Sequence, residues 1–321
     1  MRFDPVLAHV MAAMPAQPDT TAVPDDEYGA VRDAAHRYFE LNGSMPDPEV
    51  AQTDVVVPKS GLPVRIYRPA DENGVLPAIV WIHGGGFTVG MIDADDFRCR
   101  RYVTNAQCVV VSAEYRLAPE HPFPAGINDA WDALQWTFDN AAELQIDSAR
   151  IAIGGCSAGG NFAAALAQRA RDEGGPPLVF QLLVYPVLDD RLETLSSREK
   201  IDSPIWTRSA GEASWRRYLR LHEGEIPALA APARAVDLSG LPPAFVLTAE
   251  HDPLRDEGNE YAIRMQHAGV PTELHQYAGS FHGFEAIGID APIVRRALDE
   301  QCRALREALH TPLVSRQVLS P

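Results

Sequence analysis

The sequence predicts an α/β protein built on an eight-stranded, mostly parallel sheet with helices on both faces. Three observations carry that prediction. The central part of the chain contains short, uninterrupted apolar runs such as Ala78-Ile79-Val80-Trp81-Ile82, the composition of strands buried on both faces of a parallel sheet. Segments of helical periodicity separate these runs, so strand and helix alternate as parallel connections require. With 321 residues, 46% of them hydrophobic, the chain can bury such a core, and one domain with an added cap accounts for its length.

Residues 1–50 read as two helices ahead of the first strand. Asp4 is placed to cap the first and Pro5 to open it, with Val6, Val10 and Met14 recurring on one face. After a proline-rich gap, Asp25, Asp26 and Glu27 favour the positive end of a second helix. Tyr28, Val31, Ala35 and Tyr38 form its apolar stripe, and Asn42-Gly43 is its stop. Both helices precede the sheet, so they must pack onto it from outside.

Residues 51–321 then form the main domain. Asp54–Val57 and Pro63–Tyr67 are strands, the second alternating as a half-exposed edge strand does. Cys108–Ser112, Ile151–Ile153, Phe180–Val184, Ala244–Thr248 and Glu273–Tyr277 join Ala78–Ile82 to complete the eight. Helices are expected over 96–106, 127–144, 161–172, 255–268 and 291–309. Between about 190 and 240 the alternation lapses, around a helix from Glu212 to His222 that carries Trp215, Tyr218 and Leu219. This insertion and the first two helices are expected to cap the carboxyl ends of the strands.

Composition removes several classes of function. Twenty-eight basic against 44 acidic residues leave a net charge of −16, which repels phosphate backbones and anionic lipid surfaces, so nucleic acid is excluded as a partner. Cys99, Cys108, Cys156 and Cys302 lie far apart without the spacing of a zinc site or a disulfide framework, and read as reduced, buried thiols. His9 and Asp4 interrupt the start too early for a signal peptide, and no apolar run approaches the ~20 residues of a membrane helix. A soluble, cytoplasmic protein without a membrane anchor is expected; a homodimer is left open.

The chemistry centres on Gly155-x-Ser157-x-Gly159, which joins the strand Ile151–Ile153 to a helix-forming segment through a turn of very small residues. That is the context of a nucleophile elbow, in which the serine is held at a strained backbone angle and neighbours without bulk let strand and helix approach. A serine hydroxyl also needs a base, an acid to orient the base, and donors for a developing oxyanion. His83-Gly84-Gly85-Gly86 follows the end of the Ala78–Ile82 strand, so the backbone N–H groups of Gly84, Gly85 and Gly86, with that of Ala158, are candidate oxyanion donors.

Glu250, Asp252 and Asp256 all follow the strand Ala244–Thr248. Asp252 is chosen as the acid because Asp252-Pro253-Leu254 sits in the strand-end loop, whereas Asp256 suits a first helical turn. Of ten histidines, His282 alone lies in a small-residue loop after the last strand, and it is chosen as the base; His251 is read as structural. Metal binding by His275 and His282 would need further ligands that no motif supplies.

Ser157, Asp252 and His282 follow one another in the chain order of the α/β hydrolases. With Glu114-Tyr115-Arg116-Leu117-Ala118-Pro119-Glu120, Tyr185-Pro186-Val187-Leu188-Asp189 and Asp252-Pro253-Leu254-Arg255-Asp256-Glu257, the sequence from His83 nearly to its end resembles the hormone-sensitive-lipase family of esterases, the bacterial family IV. The resemblance implies an α/β-hydrolase fold with a helical cap. It also implies a carboxylester hydrolase, without cofactor, for small neutral esters of short to medium acyl chain. An amidase or a lactone hydrolase would use the same triad, and a non-catalytic ligand receptor would be expected to lack part of it. One departure concerns Cys156, where the family usually has Asp or Thr before the serine, so a local hydrogen bond is expected to be missing.

Overall fold

Eight strands form where the sequence places them. They are β1 (Val50–Val56), β2 (Pro63–Pro69), β3 (Leu76–Ile82), β4 (Val109–Ala113), β5 (Ile146–Cys156), β6 (Leu178–Val184), β7 (Ala244–His251) and β8 (Thr272–Phe281). The structure, a computed structural model, describes residues 2–13, 20–42, 47–199, 203–287 and 290–311. The strands make one sheet in the order β1-β2-β4-β3-β5-β6-β7-β8, antiparallel at β1–β2 and β2–β4 and parallel from β4 to β8.

The uninterrupted apolar runs are explained by two cores, one on each face of this sheet. Along β3, Ala78, Val80 and Ile82 point into a core shared with α4 (Ala125–Asp139), α5 (Ala158–Glu173) and α8 (Arg255–His267). Ile79 and Trp81 point the other way, against α3 (Asp96–Ala106) and α10 (Pro292–His310). A strand between two cores has no polar face, and its hydrophobic pattern cannot alternate.

Element boundaries differ from expectation in instructive places. β5 covers eleven residues rather than three. Gly154 and Gly155, which carry no strand signal, stay in the ladder opposite Trp81 and Ile82 on one side and Leu182 and Leu183 on the other. The insertion helix, α7 (Arg208–Tyr218), starts four residues early because the Thr207 hydroxyl accepts from the Ala210 N–H at 3.2 Å and caps it. Two one-turn helices, α6 (Leu195–Arg198) and α9 (Phe284–Ile287), were not expected.

The first helix, α1 (Pro5–Ala13), has the predicted cap, with Asp4 Oδ1 accepting from the N–H groups of Val6 at 2.9 Å and Leu7 at 3.2 Å. Its buried face is rotated from the predicted one. Leu7 is fully buried and Val6 is 43% exposed, because Phe3, Leu7 and Met11 are the residues that reach the α3–α10 core. In the second, α2 (Tyr28–Asn42), Tyr28 is buried and Tyr38 is 60% exposed, so the N-terminal end of the predicted stripe is the covered one. Met14 and Gly43, assigned to these helices above, lie outside the described residues. Among the described residues, no helix is long and apolar enough to cross a membrane.

Candidate active site

At the end of the central strand β5, Ser157 turns the chain with φ 54° and ψ −118°, and Ala158 already begins α5. Few non-glycine residues hold such a backbone unless their surroundings fix it. Here the Ser157 N–H donates to the Val184 carbonyl at 2.9 Å, while the Ser157 carbonyl accepts from the N–H groups of Asn161 and Val187, each at 3.1 Å. The flanking glycines are required by contact. A Cβ on Gly159 would overlap the carbonyl oxygens of Ile82 and His83, and one on Gly155 would overlap the Gly159 carbonyl.

The parallel strands β7 and β8 end at His251 and Phe281, which brings Asp252 and His282 to the same edge of the sheet as Ser157. The Ser157 hydroxyl donates to His282 Nε2 at 2.9 Å, and His282 Nδ1–H donates to Asp252 Oδ2 at 2.7 Å. Asp252 Oδ1 accepts from the Leu254 N–H at 2.9 Å, so its strand-end loop fixes the carboxylate's orientation. All three residues are buried, none more than 5% exposed. The other acids considered lie apart: Glu250 accepts from the Gly279 N–H at 2.6 Å, and Asp256 pairs with Arg255 and accepts from the Ser196 N–H. His275 faces Glu273 rather than His282.

After β3 the glycine loop is held by its carbonyls. The Gly84 carbonyl accepts from His83 Nδ1–H at 2.7 Å, and the Gly85 carbonyl accepts from the N–H groups of Thr88 and Val89. Across a trans peptide the N–H lies opposite the C=O, so the N–H groups of Gly85 and Gly86 point away from those partners. A Cβ on Gly84 would stand 3.3 Å from the Ser157 Cβ, which puts this loop against Ser157. Ala158 is buried at the first position of α5, where a helix leaves its N–H without an intrahelical acceptor.

Cys156 does not lack a partner as expected. Its thiol points at Asp95 Oδ2, 3.4 Å away, an acceptor from the 3₁₀ turn before α3. Burial, reinforced by the Asp95 carboxylate, pushes the Cys156 thiol well above its ordinary range and leaves it a poor nucleophile. The same Asp95 accepts from Trp81 Nε1 at 2.8 Å and faces Arg98, which is 1% exposed. Arg98 donates to Glu285, Gln301 and the Tyr185 hydroxyl, so a buried, charge-paired cluster underlies the elbow. No periodicity announces it, since its members come from the 3₁₀ turn before α3, from α3, α9 and α10, and from the residue after β6.

Trp206, another residue that sequence reasoning passed over, stands 5.6 Å from the His282 ring, and its ring edge would lie 3.0 Å from a Cβ on Gly86. It precedes α7, whose Tyr218 stacks on Phe87 of the glycine loop at 4.1 Å. Arg217, on the same helix, pairs with Asp25 at 2.8 Å and lies over the Tyr28 ring. Arg32 of α2 donates to the carbonyls of Thr88 and Ala118.

A family model described as the alpha/beta hydrolase fold matches residues 79–286, which hold the glycine loop, the elbow, Asp252 and His282. The chain belongs to the α/β-hydrolase family. This α/β hydrolase is similar to the carboxylesterase NlhH of Mycobacterium tuberculosis, at 46% identity over 270 residues, 82% of this chain and 84% of the relative. The esterase LipI of the same organism is 40% identical over 319 residues, 96% of each. Among solved structures, one described as a bacterial heroin esterase matches with a TM-score of 0.89 at 38% identity, covering 97% of this α/β hydrolase and 99% of that chain. The hydrolase thus stands among the esterases of hormone-sensitive-lipase type.

Proposed function

We propose that this α/β hydrolase cleaves small neutral carboxylic esters of short to medium acyl chain through an acyl-enzyme formed on Ser157. The observation that carries the reading is the unbroken donor chain from Ser157 through His282 to Asp252. His282 Nε2 accepts the Ser157 proton as Oγ attacks the ester carbonyl; Asp252 holds the ring in the tautomer that leaves Nε2 free and stabilises the imidazolium. The tetrahedral oxyanion is held by N–H groups of Gly84, Gly85 and Gly86 with that of Ala158. His282 then returns its proton to the leaving alkoxide. Water, activated by the same imidazole, attacks the acyl-enzyme and releases the acid. Apart from that water and the ester, the groups these steps use are the chain's own.

Residues 1–50 and about 190–240 serve as the cap in this reading. The contacts of Arg217 with Asp25 and Tyr28, and of Tyr218 with Phe87, support that role. The four free, buried cysteines suit a cytoplasmic location.

The test is a panel of chromogenic esters of graded acyl length, with an anilide of matching acyl group. Ester hydrolysis should exceed anilide hydrolysis; the reverse order makes the enzyme an amidase. Ser157→Ala should lower turnover by on the order of 10⁶ with the fold intact, whereas Cys156→Ala should retain activity. Near-normal hydrolysis by Ser157→Ala would discard the assignment.

A further inference from the structure

The acid and the base of the proposed triad each follow the last residue of a strand, and those two residues, His251 and Phe281, are partners across the β7–β8 ladder. The ladder is irregular just before them. Ala249 pairs with Tyr277 and His251 with Phe281, so Glu250 alone faces Ala278, Gly279 and Ser280. A bulge of this kind lifts His282 out of the sheet and leaves backbone groups that need partners elsewhere. The Gly279 N–H finds Glu250 Oε2 at 2.6 Å, and the Gly279 carbonyl accepts from the Asp4 N–H at 2.9 Å.

The second of these partners belongs to the amino-terminal segment, more than 270 residues away in sequence. That segment lies directly on the bulge: a Cβ on Gly279, whose φ is 75°, would stand 2.7 Å from the Asp4 nitrogen. Phe3 meets both partners of the ladder pair edge-on, its ring centroid 4.7 Å from that of His251 and 5.9 Å from that of Phe281. His251 Nε2 donates to the Arg2 carbonyl at 3.3 Å. Leu7, one turn into α1, anchors the segment in the core that also holds Phe281 and Phe284.

We propose that Arg2–Leu7 act as a strap that sets the separation of the proposed acid and base, with Phe3 as a positioning residue. Phe3 touches neither Ser157 nor His282 in the contacts described. It clamps the two residues that immediately precede Asp252 and His282, so a shift of either strand end is transmitted to the 2.7 Å hydrogen bond between them. The inference rests on the triad reading above and adds, to the cap role proposed for residues 1–50, a task for the segment that leads into α1.

The experiment uses the full chain. Phe3→Ala should lower kcat on a short-chain ester by about tenfold with KM nearly unchanged, since misplacing a catalytic group by a fraction of an ångström to an ångström costs between a few-fold and a hundredfold. It should also shift or broaden the downfield proton resonance of His282 Nδ1–H, assigned by its loss in His282→Gln. Phe3→Tyr, which keeps the ring, should restore both readouts. Val179→Ala trims the same core at the start of β6, at the opposite end of the sheet from the His251–Phe281 pair, and should change neither. If Phe3→Ala does not fold, Phe3→Leu keeps the bulk, loses the ring edge, and should show a smaller fall in kcat with the same resonance change. An unchanged kcat and resonance in Phe3→Ala or Phe3→Leu overturns the strap, as does Val179→Ala matching Phe3→Ala in both. Failure of the wild type to hydrolyse any ester discards the esterase reading instead, and the resonance then decides the strap alone.

Discussion

Ser157 sits between a floor and a covering that are held together in different ways. In the floor, backbone meets backbone: the Ser157 peptide bonds to Val184, Val187 and Asn161, and Gly155 and Gly159 approach each other and the β3 carbonyls with no room for a Cβ. Over the site, long side chains reach across gaps: Arg217 to Asp25 and Tyr28, Arg32 to Thr88 and Ala118, Trp206 to Gly86 and His282. The floor is set by hard-sphere limits and tolerates nothing larger than glycine at its closest points. The covering is set by contacts that other side chains could make, and in the proposed reading it is where acyl preference can change without loss of the chemistry.

Outside the triad, the largest effect on activity should come from crowding the floor. Gly159→Ala pushes a methyl group into the Ile82 and His83 carbonyls and should cost about 1–3 kcal/mol of stability, as overpacking does, with activity falling on the order of a hundredfold. Ester assays beside urea denaturation check both, and a fully active Gly159→Ala enzyme would mean the elbow relaxes more freely than its contacts allow.

The underside of the floor comes next. Arg98→Met leaves Glu285 and Asp95 buried without their cation, and breaking a buried pair in this way costs about 3–5 kcal/mol. Because the Tyr185 hydroxyl loses its Arg98 donor while its ring still packs 4.8 Å from His282, activity should fall less than in Gly159→Ala. Denaturant titration of the variant measures the stability change; a loss near zero would show that the cluster is replaceable.

The covering should respond differently. Arg217→Ala removes the ion pair to Asp25 and the stack on Tyr28, and should raise KM for the longest acyl chains several-fold while the shortest ester is cleaved at a near-normal rate. A graded ester series reads this, and a uniform fall in kcat across the series would move Arg217 from the covering to the floor.

The smallest effect should appear where floor and covering meet. Glu257 accepts from the Leu188 N–H at 2.6 Å, and burial pushes its carboxyl well above the usual range. The folded state therefore keeps a proton that the unfolded chain releases near pH 4.3, so the unfolded state binds fewer protons and stability falls as pH rises through that window. Glu257→Gln keeps an acceptor for Leu188 without the charge. It should match the wild type near pH 4 and gain on it toward pH 8, as denaturation at a series of pH values would reveal; parallel curves would mean that Glu257 is ionised in the fold.

Much of the fold was legible because its signals are local. A strand between two cores is apolar throughout, as Ala78–Ile82 is, and a loop that must expose a serine or a histidine is made of small residues, as around Ser157 and His282. Asp252 was singled out from Glu250 and Asp256 by its place relative to a strand end, and the structure hydrogen-bonds it to His282. The glycine end of β5 was not legible, because two glycines carry no strand preference and are held only by β3 and β6 on either side.

By itself, then, the sequence determined the eight strands, the chain order of Ser157, Asp252 and His282 proposed as nucleophile, acid and base, and the place of the glycine loop, since each depends on neighbours within a few residues. Only the tertiary structure decided which carboxylate the Cys156 thiol meets, that Arg98 lies buried beneath the elbow, and which face of α1 is covered. It also brought Phe3 to rest on His251 and Phe281. Those contacts join residues tens to hundreds of positions apart, and which of many similar side chains meet is fixed by where the strand ends come to lie, a property of the packed sheet rather than of any segment.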